Sequence, residues 1–194
     1  MNFLAHVFLS RQSPQTIVGA MLGDFVKGPI DDRYPPPIRD AIALHRAIDR
    51  YTDTHDIPRV SRARMSPARR FFSAVLVDVF YDHFLARDWR RYCDIPLPVF
   101  ARQVYDALAA QRADLPPRLQ WAATRMAADD WLTAYGEIAG INAAVNGIAY
   151  RLRRFRRAQV LVGSVEELEQ HYAGFEDDFR VFFPQLMRYV ATPG

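Results

Sequence analysis

The sequence predicts an all-α protein, a single-domain helical bundle. Three observations carry this expectation. Apolar residues recur at three- and four-residue spacing along most of the chain. Runs with strand-like alternation are scarce. Ser and Pro starts and Gly and Pro stops punctuate the periodic segments. The chain has 194 residues, 50% of them apolar, enough for one sizeable core. No repeat and no Gly/Ser linker divides it, so one domain over residues 1–194 is expected.

The elements follow in order. A first helix is expected over residues 2–9. Ser13 as N-cap and Pro14 at the first helical position open a second. It runs through QTIVGAMLGDFV and closes at Gly28, with Pro29 just beyond. After the loop DDRYPPP, a third covers residues 37–53 and is ended by HDIP. Beyond the basic segment RVSRARMS, Pro67 opens a long apolar helix to residue 89. Helices over 97–112 and 117–126 flank DLPP, and another group runs from Asp129 through IAGINAAVNGIAYRLRRF. Ser164 and Glu167 match a capping box for a last helix that ends or kinks at Pro184.

Composition narrows the setting. Charged residues make up 24% and the net charge is +3, which suits an acidic partner without demanding one. A single cysteine, Cys93, allows no intramolecular disulfide and excludes a thiolate-rich zinc site; a reducing compartment fits best. The opening MNFLAHVFLSRQ lacks the basic lead of a secretory signal, and no run approaches the ~18 apolar residues of a membrane span. A cytoplasmic protein without a membrane segment is expected. Lys27 is the sole lysine among 25 Lys and Arg residues.

Several acids fall on apolar helix faces. On the third helix, Ile38, Ala41, Ile42, Leu44 and Ile48 share a sector with His45, and Asp49 falls about 40° from His45. In FFSAVLVDVFYDHFL, Asp78 and Asp82 are four apart on the face that also carries Phe71, Ala74, Val75 and Leu85. Carboxylates there are costly unless paired or bound to a metal, and something cationic should stand between them. For Asp49 or Asp82 alone, an arginine salt bridge is the ordinary alternative; for His6, a hydrogen-bonded core histidine. Asp53, His55 and Asp56 read as solvated groups at a helix end. His83 lies about 100° off the Asp78–Asp82 face and ranks lower. Acids and histidines at inward positions on successive helices suit Mg²⁺, Mn²⁺ or Fe²⁺.

MLGDFVKG, residues 21–28, resembles the LLHDIGKG-type signature of HD-domain metal-dependent phosphohydrolases, which are all-α. On that pattern His6 stands as the early histidine, Asp24 as the signature acid, Lys27 as the signature lysine and Asp78 as the later acid. Gly23 occupies the place of the signature histidine, and His45 with Asp49 are the candidates to replace it. Six ordered blocks extend the likeness across nearly the whole chain: MNFLAHVFLS, GDFVKG, HRAIDRYTD, DVFYDHFL, VNGIAYRLRR and HYAGFEDDFRVFFP. Together they resemble the acyl carrier protein phosphodiesterase family, a distorted relative of the HD hydrolases.

That resemblance implies metal-dependent hydrolysis, typically with Mn²⁺, of the phosphodiester joining 4′-phosphopantetheine to a serine of holo-acyl carrier protein. The ligands it implies are His6, Asp24 and Asp78, with His45, Asp49 and Asp82 in contact with the ion or just behind it. Lys27 would stand near the phosphate or protonate the departing serine oxygen; without the resemblance, it reads as an exposed helix-end lysine favoured by the helix dipole. Asn142 and Asn146, four apart on one helix face, either bind phosphate or a pantetheine amide, or bond each other. Arg151, Arg153, Arg154 and Arg156, in YRLRRFRR, form either a plain solvated face or a dock for the acidic carrier protein. Nucleic acid would also favour these arginines, but no recognition motif accompanies them. Two other readings remain: an HD phosphohydrolase acting on nucleotides, and a non-catalytic basic module binding an acidic protein, whose inward acids would pair with arginines.

Overall fold

The computed structural model describes residues 1–192, whose regular elements are all helices, with no strand among them. The helix α1 (Phe3–Leu9) is buried along its whole length. It is followed by α2 (Pro14–Leu22), which starts as expected: Ser13 Oγ accepts from the Thr16 amide, and Thr16 Oγ1 accepts from the Ser13 amide. However, α2 stops at Leu22, six residues before the expected Gly28. The Phe25 and Val26 amides fold back onto the Leu22 carbonyl, so Asp24 lies in a turn rather than on a helix.

Next comes α3 (Pro36–Thr54), packed closely on α2. At Gly19 a β-carbon would lie 2.5 Å from the Ile38 carbonyl oxygen, so only glycine permits this approach. Most of the basic segment RVSRARMS, to which the sequence pattern assigns no element, lies in a further helix, α4 (Asp56–Ala63). HDIP opens it rather than merely ending α3: His55 Nδ1 accepts from the Ile57 amide, and Pro58 falls in the first turn, where a missing N–H costs nothing. The central helix α5 (Ser73–Arg87) begins six residues later than Pro67, after a 3-10 turn at Arg70–Phe72.

Then come α6 (Leu97–Ala110), α7 (Pro117–Ala128), the short α8 (Trp131–Ala134) and α9 (Ile138–Arg151). The expected capping box at Ser164 does not form. The Glu167 carboxylate instead accepts from the Ser66 amide at 2.9 Å and Arg69 Nη1 at 3.1 Å, tying α10 (Val165–Gln170) to the far segment before α5. The last helix, α11 (Tyr172–Ala191), passes through Pro184 without ending. Its Phe175, Phe179, Phe182 and Phe183 are fully buried and join α1, α2, α5 and α6 in one core. No described helix is long and apolar enough to cross a membrane.

Candidate metal centre

Three helix segments converge beside the start of α1. His6 of α1 and His45 of α3 stack with ring centroids 3.6 Å apart. Asp49, one turn beyond His45, joins them: its Oδ1 lies 3.1 Å from His6 Nε2 and its Oδ2 3.2 Å from His45 Nε2. One ligand atom from each of His6, His45 and Asp49 lies within 4.8 Å of the others, so this trio could hold a metal ion. Asp24 Oδ1 stands 3.7 Å from His45 Nε2.

The donor set fits a divalent cation with mixed nitrogen and oxygen ligands. His45 Nδ1 donates to the Ala20 carbonyl at 2.7 Å. Imidazoles that ligate metals are oriented through their second nitrogen in this way, which leaves Nε2 facing the cluster. His6 is buried, and its Nδ1 has no hydrogen-bond partner. Burial pushes the His6 pKa down to about 4, and neighbouring His45 adds to this against Asp49. For His45, burial pulls the same way, but hydrogen bonds to Asp24 and Asp49 outweigh it and raise the pKa to about 9.

Gly23 sits directly against this centre. A β-carbon there would lie 2.2 Å from His45 Cγ, so the imidazole fills the space a side chain at position 23 would need.

The remaining acids have distinct places. The Met1 amino nitrogen lies 3.0 Å from Asp78 Oδ1 and 3.7 Å from Asp49 Oδ1. The cation expected beside Asp78 is thus an amine, which residue spacing along a helix does not reveal. Asp82 is fully buried and accepts from the Leu4 amide at 2.7 Å and the Ala5 amide at 3.1 Å. It caps α1 from across the core, since Asn2 provides no side-chain cap. Burial raises its pKa to about 7 even against those amides. Among the described residues, no arginine forms a salt bridge with Asp24, Asp49, Asp78 or Asp82.

Lys27 is exposed on the stretch beyond Asp24. Asn146 Nδ2 donates to Asn142 Oδ1 at 3.3 Å, the mutual bond that was one of the two expectations. Arg151, Arg153, Arg154 and Arg156 are all exposed, and Arg153 stacks over Tyr150 at 4.1 Å. His83 is held by the Tyr135 carbonyl at 2.9 Å and the Tyr172 hydroxyl at 2.8 Å, apart from the trio.

The sequence pattern gave no sign of a cavity of about 590 Å³ beside the start of α1, lined by Asn2, Phe3, Trp131, Tyr135, Ile148 and Arg151 among others. Asn2, before α1, and Tyr135, just after α8, meet at its wall. A contact spanning over a hundred residues has no local signature.

Comparison with known proteins supplies the family. The family model described as acyl carrier protein phosphodiesterase matches residues 1–186. A protein of that name from Yersinia pestis is 34% identical over 189 residues, covering 97% of this chain and 96% of the relative. One from Enterobacter sp. (strain 638) is 35% identical, covering 96% of each. One from Photorhabdus laumondii is 31% identical, covering 96% of this chain and 93% of the relative. No solved structure matches. The chain belongs to the acyl carrier protein phosphodiesterase family.

Proposed function

We propose that this protein is a divalent-metal phosphodiesterase that releases 4′-phosphopantetheine from the serine of holo-acyl carrier protein. The observation carrying this reading is the convergence of His6, His45 and Asp49 within 4.8 Å, in a chain whose relatives are named for that activity. These three residues would hold the ion, with Asp24 beside His45 as a further ligand or as the group that orients it. Mn²⁺ suits the imidazole and carboxylate donors, with Mg²⁺ or Fe²⁺ as substitutes. When bound, such an ion polarises a phosphate and lowers the pKa of a bound water.

The chain's own residues would do the rest. The Ala20 carbonyl holds the His45 ring in one orientation. Asp49 spans both imidazoles and keeps them stacked. Asp78 and Asp82 anchor the start of α1 and so fix where His6 points. Lys27, three residues beyond Asp24, would neutralise a non-bridging phosphate oxygen or protonate the leaving serine oxygen. The cavity behind Asn2 and Phe3 would receive the pantetheine arm.

A non-catalytic basic module would have its inward acids paired with guanidinium groups. Here the trio's acid faces imidazole instead, which favours the hydrolase. The distant tie to HD hydrolases belongs to this proposal too, with His45 occupying the space above Gly23. The deciding experiment incubates purified holo-acyl carrier protein with the enzyme and Mn²⁺ and follows conversion to the apo form on a gel. Release of phosphopantetheine, blocked by a chelator and restored by Mn²⁺, is expected. No conversion under Mn²⁺, Mg²⁺ or Fe²⁺ would overturn the proposal.

A further inference from the structure

Helix α5 is buried on nearly every side, yet its beginning is bare. Phe71 is 70% exposed and Val75 38% exposed. Val75 and Asp78, three apart, share one face of α5, with Phe71 in the 3-10 turn just before it, so this apolar edge leads toward Asp78, about 5 Å beyond Val75 along the axis. Across from it, the segment after α9 folds back and leaves Phe155 67% exposed. Phe71, Phe72, Leu152 and Phe155 line a hollow of about 630 Å³ whose remaining lining is Arg154, Arg156 and Arg157. The Arg157 guanidinium lies 5.5 Å from the Phe71 ring centroid.

Two features make this more than a scatter of exposed side chains. First, Arg154, Arg156 and Arg157 form no salt bridge among the described residues, whereas nearby Arg69 is engaged by Glu167. An apolar hollow ringed by uncompensated positive charge complements an acidic surface that carries an apolar side chain. Second, the patch adjoins the cavity beside the start of α1. Leu152 lines the hollow, and its neighbour Arg151 lines the cavity that reaches Asn2.

We propose that Phe71 and Phe155 are the apolar anchors of the surface on which the acidic protein part of the substrate docks, with Arg154, Arg156 and Arg157 forming its charged rim. The proposal rests on the reading of the substrate as a protein-borne phosphodiester. A hydrolase that reaches an ester on a protein's own serine must touch that protein within a few ångströms of the reacting bond. A footprint at the start of the helix that carries Asp78 falls within an interface of ordinary size. Buried aromatic anchors supply most of the affinity of such interfaces, while rim charges set the encounter rate and its salt dependence.

The test titrates metal-free enzyme with holo-acyl carrier protein and compares wild type with the Phe71→Ser/Phe155→Ser pair. Thermal melting checks that the fold is retained, and the Phe71→Leu/Phe155→Leu pair serves as the conservative rescue. The serine pair is expected to raise Kd at least tenfold at every salt concentration, and the leucine pair to stay within about threefold of wild type. An Arg154→Ser/Arg156→Ser/Arg157→Ser variant should lose affinity at low salt and converge on wild type at high salt.

Unchanged binding by the serine pair overturns the proposal. So does a wild-type dimer that the serine pair dissociates, since a second copy of this chain would then cover the patch. Binding of duplex DNA or anionic vesicles in place of the carrier overturns it as well. Tight binding that depends on both phenylalanines, with no phosphopantetheine released under Mn²⁺, leaves the dock standing and sinks the assigned reaction. Release that is indifferent to both phenylalanines does the reverse.

Discussion

The imidazole of His45 occupies the volume that a side chain at position 23 would need: a β-carbon on Gly23 would lie 2.2 Å from His45 Cγ. Glycine at position 23 thus leaves room for an imidazole brought in from α3. Gly23→Ala is expected to push His45 off the Ala20 carbonyl and away from Asp49. A displacement of about 1 Å at a catalytic group costs on the order of a hundredfold in rate. Steady-state turnover of holo-acyl carrier protein measures the loss, and a melting curve separates it from unfolding. Near-normal turnover would mean that His45 is not needed where it stands.

Asp24 is half-exposed, and its Oδ1 lies 3.7 Å from His45 Nε2. Removing it takes no packing from the core, so Asp24→Ala should keep the melting temperature while turnover falls to background. Metal affinity should fall as well, because carboxylates that touch or orient metal ligands are worth about tenfold to a hundredfold in binding. Retention of normal turnover would move the reaction centre elsewhere.

The helix class, the burial of His45 and the position of Asp49 one turn beyond it on the same side could be read from the sequence, because the 3.6-residue period places side chains on faces without knowledge of the partner. What lay across the core could not. Asp78 and Asp82 stood out as acids needing partners, but the partners are the Met1 amine and the Leu4 and Ala5 amides. Backbone groups are the same in every residue and leave no trace in a pattern of side chains. The end of α2 was misplaced because Phe25 and Val26 continue the apolar period even though their amides turn back to Leu22. Ser164 and Glu167 had the spacing of a capping box, but a tertiary contact with Ser66 and Arg69 took the glutamate.

Asp82 gives a prediction about stability. Both its oxygens are engaged by the otherwise free amides at the start of α1. Asp82→Ala should destabilise the fold by about 1–3 kcal/mol through those unsatisfied amides. Asp82→Asn, which keeps one carbonyl acceptor, should lose less. Denaturant titration measures both. Equal stability of wild type and Asp82→Ala would remove the capping role and return the residue to the list of metal ligands.

Arg153, Arg154 and Arg156 are exposed and form no salt bridge among the described residues. Neutralising all three should raise KM for the carrier protein about tenfold at low salt and leave kcat close to wild type, since rim charges act on encounter. Added salt should narrow the difference. A fall in kcat that persists at saturating substrate would place one of these arginines at the phosphate instead.

Glu167 ties α10 to the segment before α5, and its titration should be visible in stability. Burial alone would raise its pKa; hydrogen bonds from Ser66 and Arg69 outweigh that and bring it below the usual carboxylate value. A depressed folded-state pKa means that the ionised form stabilises the fold above the ordinary glutamate range, near 4.3, and that this contribution is lost as pH falls through the lower folded value. Glu167→Gln should therefore be less stable than wild type at pH 7, by about 1–3 kcal/mol for a buried charge-assisted pair. The two proteins should converge as the pH drops below about 4. Chemical denaturation at a series of pH values reads the gap directly, and a gap that stays constant down to acid pH would show that the carboxylate's charge contributes nothing there.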